Sequence, residues 1–148
     1  MSGRLIALDT NLLVYAYDRD SPWHARAADC LSELAEATAT WAIPWPCVHE
    51  FLAVTTNPRL VRRAGSLERA LQQVEFWMES PSLEMLGELQ GHWRELKSVL
   101  AKGRLLGGQV HDARIAALCL EHGVTELWSA DRDFSRIAGL RVRNPLLT

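Results

Sequence analysis

Short apolar runs alternate with longer amphipathic stretches along the whole chain. The apolar runs are RLIAL (4–8), WAIP (41–44), SLEML (82–86), ELWS (126–129) and LRVRN (140–144), of which SLEML is the weakest. Apolar runs of this length, bounded by polar or turn residues, are typical of buried strands. The pattern therefore predicts five short strands.

The stretches between these runs have the hydrophobic spacing of helices. The predicted helices cover about 12–17, 23–37, 46–56, 67–79, 88–101 and 109–122. Ser21 and Pro22 are expected as N-cap and first position of the second helix, Ser66 as the cap of the helix at 67–79, and Gly123 as a left-handed stop. Strands that alternate with helices in this way predict an α/β fold with a mainly parallel central sheet.

Composition narrows the class of protein. A chain of 148 residues with 48% hydrophobic content suits one domain over 1–148, and its net charge of −2 argues against a generally basic nucleic-acid coat while leaving a local basic patch open. Asp9 and Asn11 interrupt the apolar N-terminal segment, which is too short for a membrane span. The cysteines Cys30, Cys47 and Cys119 are far apart, so we expect reduced thiols in the cytoplasm.

Acidic residues stand where predicted strands end and helices begin. Asp9 follows the first strand, Asp131 and Asp133 follow ELWS, and Glu50 and Asp112 fall in predicted helices. Each has an ordinary alternative explanation, as a helix cap, a surface residue or a turn residue. As a set they converge, because parallel sheets bind ligands at the carboxyl ends of their strands. We therefore predict one shared acidic site.

Such a site requires a counter-charge. Two carboxylates about 4 Å apart repel by about 4 kcal/mol at an effective dielectric near 20, and a divalent cation removes that penalty. Oxygen ligands suit Mg²⁺ or Mn²⁺, and no His or Cys grouping has zinc spacing. A carboxylate-bound ion of this kind is suited to phosphodiester hydrolysis. The arginines that are candidates for contacts to a nucleic-acid phosphate backbone, or else simply solvated, are Arg59, Arg62, Arg63 and Arg132.

Four segments carry a resemblance to a known family. LDTNLLVYAYD, PWPCVHEF, VHDARIAALCLEHGV and LWSADRDFSRIAGLRVRNPL occur in this order between about Leu5 and Leu147. Together they resemble a PIN-domain ribonuclease of the VapC toxin type. The resemblance implies a three-layer α/β/α sandwich around a central, mainly parallel sheet.

The resemblance also implies roles for particular residues. The catalytic acids are expected at Asp9, Glu50, Asp112 and Asp131, and the ligands of Mg²⁺ or Mn²⁺ among them at Asp9, Asp112 and Asp131. The supporting residues are expected at Thr10, Asn11, Ser129 and Asp133, with Ser129 standing where threonine is common in the family. The resemblance places the acids already identified from the strand pattern in a single catalytic group.

The function implied by the resemblance is endonucleolytic cleavage of RNA, often tRNA or ribosomal RNA, with inhibition of translation. A homodimer and a cognate antitoxin partner are implied as well, and partly exposed apolar side chains near Trp23 and Trp45 are a hypothetical antitoxin surface. Two other functions stay open, a housekeeping RNA-processing nuclease without antitoxin and a catalytically silent RNA- or protein-binding module. A phosphatase of the haloacid dehalogenase kind is disfavoured, because its second aspartate would stand where Asn11 does.

Overall fold

Five parallel strands form the central sheet. The computed structural model describes residues 3–61 and 67–147. The strands are β1 (Leu5–Leu8), β2 (Thr40–Pro44), β3 (Leu83–Leu86), β4 (Glu126–Trp128) and β5 (Val142–Arg143), in the order β3-β2-β1-β4-β5. Every pairing is parallel, so the expected α/β sandwich with a mainly parallel sheet is confirmed. β1 is buried along its whole length, as a central strand covered on both faces must be.

Helices cover both faces of the sheet. In the described ranges they are α1 (Thr10–Tyr17), α2 (His24–Glu36), α3 (Trp45–Thr55), α4 (Leu67–Met78), α5 (His92–Gly103) and α6 (Gln109–Glu121). A 3₁₀ helix follows β4 at Arg132–Arg136. The chain reverses direction across the sheet between β3 and β4, and right-handed crossovers then bring α5 and α6 to the face opposite α1–α4. None of these helices has both the length and the apolar character needed to cross a bilayer.

Aromatic packing fixes the helix that carries Glu50. Phe51 on α3 is fully buried, and its ring meets Tyr17 of α1 at 5.3 Å and Trp77 of α4 at 4.8 Å, both edge to face. Such pairs add about 0.5–1.5 kcal/mol each beyond their burial. With Phe51 turned into the core, the neighbouring residue Glu50 is left exposed at the edge of the buried stripe.

The start of α2 differs from the prediction. Ser21 and Pro22 were expected as its cap and first residue, but α2 begins at His24 with Trp23 at the N-cap position. The hydroxyl of Ser21 accepts a hydrogen bond from the backbone N–H of Trp23 at 3.1 Å. The hydroxyl therefore stabilises the turn that precedes the helix.

The start of α5 also differs, at His92 where residue 88 was expected. Glu121 at the end of α6 explains the later start. One of its carboxylate oxygens accepts a hydrogen bond from the N–H of Leu89 at 3.1 Å, and the other lies 2.7 Å from Nδ1 of His92. These contacts hold residues 88–91 in a turn. The predicted stop at Gly123 is confirmed by its φ of 69°, whereas the predicted cap Ser66 lies outside the described residues.

Candidate active site

The predicted acids meet at the carboxyl edge of the sheet. Asp9 directly follows β1, Asp131 lies just beyond β4, Glu50 is on the second turn of α3 and Asp112 is in the first turn of α6. All four line one pocket of about 250 Å³. Four segments far apart in sequence therefore contribute one carboxylate each to a single cavity.

Asp9 is the most enclosed of these acids, at 5% exposure. Oδ1 accepts from the N–H of Thr10 at 2.8 Å and from the thiol of Cys47 at 3.7 Å. Oδ2 accepts from the hydroxyl of Ser129 at 2.7 Å and from the amide of Asn11 at 3.2 Å. Burial raises the pKa of Asp9, and the hydrogen bonds from Ser129 and Thr10 oppose that shift. Four donors therefore fix the position of this carboxylate.

Asn11 and Ser129 join the ends of β1 and β4. The Asn11 amide also donates to Oγ of Ser129 at 3.3 Å, and its carbonyl oxygen accepts from the N–H of Ala130 at 3.2 Å. Oγ of Ser129 in turn accepts from the N–H of Asp131 at 2.9 Å. Asp9 and Asp131 are thus linked through two shared polar side chains, and a displacement of either strand end disturbs both acids.

Thr10 extends this network to α3. Its hydroxyl lies 3.2 Å from Oε2 of Glu50 and donates to it. Glu50 is itself exposed, so this bond limits the directions in which its carboxylate points without removing it from solvent. The supporting residues Thr10, Asn11 and Ser129 therefore all contact the acids that they were expected to orient.

Asp112, Asp131 and Asp133 form a compact carboxylate group. One oxygen from each lies within 4.8 Å of the others, and Asp131 Oδ1 also accepts from the N–H of Asp133 at 2.9 Å. The pKa of Asp112 rises to about 6 because of partial burial and the nearby charges of Asp131, Asp9, Asp133 and Glu50, in that order. Within residues 3–61 and 67–147 no salt bridge neutralises these acids. The chemistry of this donor set, carboxylate oxygen alone, fits Mg²⁺ or Mn²⁺.

Of the candidate arginines, the two that the structure describes lie outside the acidic pocket. Arg132 is exposed on the 3₁₀ helix beside Asp131 and Asp133, and Arg59 is exposed in the turn after α3. Arg62 and Arg63 fall outside the described residues. Neither described arginine lines the pocket.

Two residues of α3 contribute to the site's surroundings and were not singled out from the sequence. The thiol of Cys47 contacts the carboxylate of Asp9, and His49 lines a second cavity beside the acids. The available signal for Cys47 was its position three residues before Glu50, a spacing that puts two residues on the same side of a helix, whereas His49 directly precedes Glu50 and its place beside the acids had no such signal.

Comparisons with known proteins identify the family to which this chain belongs. The profile described as the PIN domain matches residues 6–140. The chain therefore belongs to the PIN-domain family.

Its curated relatives are ribonucleases of the VapC group. Ribonuclease VapC48 of Mycobacterium tuberculosis is 31% identical over 137 residues, which cover 93% of this chain and 94% of the relative. The VapC ribonuclease Mb2897 of Mycobacterium bovis is 32% identical over 142 residues, covering 96% of each chain. These matches confirm the resemblance found in the four sequence segments.

Solved structures share the fold. VapBC2 from Rickettsia felis, bound to a DNA fragment from its promoter, has a TM-score of 0.70 at 20% identity and covers 95% of this chain and 98% of that chain. VapC20 from Mycobacterium tuberculosis, a sarcin-ricin loop cleaving toxin, has a TM-score of 0.68 at 16% identity and covers 91% and 95% respectively. Both are similar to this chain over nearly their full lengths.

Proposed function

We propose that this chain is a single-domain, divalent-metal-dependent endoribonuclease that acts in the cytoplasm as the toxin of a toxin–antitoxin pair. The observation that carries the proposal is the convergence in one pocket of carboxylates from the end of β1, α3, α6 and the segment after β4, none of which forms a salt bridge within the described residues. Relatives more than 30% identical are named ribonucleases, which supports this chemistry. The three free cysteines, all buried, suit a reducing compartment.

The ion-binding residues in this proposal are Asp9, Asp112 and Asp131, with Asp133 close enough to join them. When bound, Mg²⁺ or Mn²⁺ supplies the positive charge that brings an anionic phosphodiester to an acidic pocket. Asn11 and Ser129 hold Asp9 and Asp131 at a fixed separation, so the pocket is preorganised before substrate arrives. This arrangement favours charge stabilisation during the reaction.

Glu50 is the acid placed to move a proton. It lines the pocket, remains exposed to water and is oriented by the hydroxyl of Thr10. In the proposed reaction Glu50 takes a proton from the attacking water, whose oxygen forms a bond to phosphorus as the bond between phosphorus and the 3′ oxygen breaks. The leaving 3′ oxygen takes a proton from solvent water, and Glu50 then releases its own proton to solvent. Hydrolysis then leaves a 5′-phosphate on one RNA fragment and a 3′-hydroxyl on the other.

The experiment that tests this function is a cleavage assay on tRNA and ribosomal RNA with the wild-type protein and Asp9→Asn. We expect cleavage in Mg²⁺ or Mn²⁺, none in excess EDTA, and none from Asp9→Asn with its circular dichroism unchanged. Full activity of that variant, or activity in EDTA, contradicts the metal mechanism. RNA binding without metal-dependent cleavage would instead identify a silent binding module.

The toxin role is tested in cells. Expression of the wild-type protein should arrest growth and inhibit translation, and a small protein from the neighbouring gene should relieve the arrest. Sequencing of RNA 5′ ends after induction identifies the cleaved RNA. Cleavage without growth arrest would favour a housekeeping RNA-processing nuclease.

An antitoxin partner is supported by an apolar cavity of about 540 Å³ away from the acids, bordered by α1, α2 and α4. Phe76 on its rim is 68% exposed, and Glu36 and Glu79 also line it. An apolar antitoxin segment with flanking basic residues matches this surface. We expect Phe76→Glu to weaken antitoxin binding more than Trp45→Ala, because Trp45 lies outside this cavity; the reverse order would favour the surface near Trp23 and Trp45.

A homodimer is part of the proposal as well. Trp93 on α5 and Leu106 before α6 are 68% and 76% exposed, and the proposal is that a second copy of the chain covers these two side chains. Light scattering of the wild type and Trp93→Glu tests this. A wild-type monomer at high concentration contradicts the dimer.

A further inference from the structure

A second cavity adjoins the acidic pocket between α3 and α6. Its volume is about 540 Å³, and Glu50, Asp112 and Ile115 line both this cavity and the acidic pocket. We call it the α3–α6 cavity and define it by the residues that it does not share, chiefly His49, His111 and Arg114. A molecule that reacts at the acids therefore has room to extend a neighbouring group into it.

The two histidines of this cavity differ from the others in the chain. His49 and His111 are exposed, and neither imidazole has a hydrogen-bond partner among residues 3–61 and 67–147. His24, His92 and His122 each have a ring nitrogen bonded to a neighbouring group. Among the described residues, the ring nitrogens of His49 and His111 are therefore free, and the His49 ring lies 6.3 Å from the Trp45 ring at an angle of 31°, so the aromatic wall of the cavity extends to Trp45.

Arg114 brings a positive charge to the same wall. Its guanidinium makes one contact with Glu88, at 3.7 Å, and the two side chains are 42% and 55% exposed. An ion pair this long and exposed contributes little, so Arg114 can exchange it for a phosphate at small cost. The guanidinium fork matches phosphate oxygens better than it matches a distant carboxylate.

Apart from the shared acids Glu50 and Asp112, the rest of the lining is small or apolar. Pro46 and Ala53 of α3 and Ile115 of α6 complete the wall beside the imidazoles. Flat aromatic groups, small apolar surfaces and one arginine are the combination that holds an unstacked nucleobase together with its phosphate. The acidic pocket itself repels a polyanion, so favourable RNA contacts are expected on its flanks.

We infer that the α3–α6 cavity is a nucleotide subsite for single-stranded RNA. The base of the nucleotide next to the scissile phosphodiester packs against His49 and His111, and Arg114 binds the outer phosphate of that nucleotide. This assignment rests on the proposed nuclease function. It requires a single strand, because a base within a duplex is not free to enter the cavity.

The direct test is NMR of the five histidine side chains with nucleoside 5′-monophosphates as probes. EDTA is present, so that no divalent ion recruits the phosphate. We expect the imidazole signals of His49 and His111 to move with added nucleotide while those of His24, His92 and His122 stay in place. Equal movement of all five signals, or none at all, overturns the assignment.

A second test measures RNA binding by variants in the Asp9→Asn background. We expect His49→Ala and Arg114→Ala each to weaken binding of a short mixed-sequence single-stranded RNA by about tenfold, the loss typical of one stacking or charged contact. Arg141→Ala is the matched control, because Arg141 is exposed and precedes β5 at the opposite edge of the sheet. Equal affinities of all three variants contradict the subsite.

The outcomes separate this inference from the function on which it rests. Nucleotide-specific shifts at His49 and His111 without RNA cleavage support the subsite and reject the nuclease. Metal-dependent cleavage with unchanged affinity in His49→Ala and Arg114→Ala supports the nuclease and rejects the subsite. If these variants instead change the oligomeric state measured by light scattering, a second copy of the chain occupies the cavity and the subsite is rejected.

Discussion

The thiol of Cys47 lies 3.7 Å from Oδ1 of Asp9, and both residues are buried. Burial raises the pKa of Cys47 well above its ordinary value, so the thiol stays protonated and donates a hydrogen bond to the carboxylate. The contact connects the first turn of α3 to the end of β1. Cys47 thereby ties the helix that carries Glu50 to the acid at the centre of the site.

We expect Cys47→Ala to lower cleavage activity by about tenfold, the loss typical when a residue that supports a metal ligand is removed. Its free energy of unfolding should fall by about 1–2 kcal/mol through the small cavity and the lost donor. Cys47→Ser should recover most of the activity because a hydroxyl also donates. Cys30→Ala is the control, since Cys30 is a buried thiol on α2 without contact to Asp9. Equal activity of the two alanine variants contradicts the role of Cys47.

Asn11 is expected to tolerate alanine better than aspartate. Its amide donates to Asp9 and Ser129, and a carboxylate there would face Asp9 at the 3.2 Å now spanned by a hydrogen bond. Charge repulsion, partly relieved by protonation, should make Asn11→Asp roughly 2 kcal/mol less stable than Asn11→Ala. Urea denaturation in EDTA measures the difference. Equal stability of the two variants would mean that the amide's donor character is unimportant.

Stability of the metal-free protein should depend on Asp112. Because the pKa of Asp112 is about 6 in the folded chain and near 3.8 in the unfolded chain, the folded state holds this proton more tightly. Lowering the pH from about 7 to about 4 should therefore increase the stability of the wild type relative to Asp112→Asn. Burial also raises the pKa of Asp9, so Asp9 likewise adds to the stability of both proteins as the pH falls. A difference between the two proteins that does not vary with pH in EDTA contradicts this reading.

Asp133 is expected to contribute to metal binding. Its carboxylate lies within the 4.8 Å group formed with Asp112 and Asp131, although it is more exposed than either. Asp133→Asn should bind Mn²⁺ about tenfold more weakly by calorimetry, and Asp131→Asn more weakly still. Asp29→Asn, at an exposed position on α2, should bind as the wild type does. Unchanged affinity in Asp133→Asn would leave Asp133 as a turn residue only.

Much of the fold was predictable because its signals are local. The apolar runs, and Gly123 after α6, depend on residues close in sequence, and the structure confirms them. Convergence of Asp9 and Asp131 followed from one rule about parallel sheets. The prediction of a helix boundary failed where a residue distant in sequence determines it. The contacts of Glu121 with Leu89 and His92, for example, make α5 begin later than the local pattern indicated.

Details of the site also depended on distant contacts. Most of α6 and the strand β4 separate Asp112 from Asp133 in the sequence, and nothing local indicates that their carboxylates come within 4.8 Å of each other. The thiol contact of Cys47 with Asp9 and the position of His49 in the α3–α6 cavity depend on where the fold sets α3 relative to the end of β1 and the start of α6. Such contacts require the assembled sheet before they can be recognised.

Strand order has a consequence for synthesis of the chain. β1 is made first and lies at the centre of the sheet, but its neighbour β4 begins only at Glu126. The ribosome therefore adds Asp9 to the growing chain long before it adds Asp131. If the proposed activity is correct, the nuclease cannot assemble its acidic pocket until Asp131 has been translated and has left the ribosome, so shorter nascent chains are harmless to the ribosomes that make them.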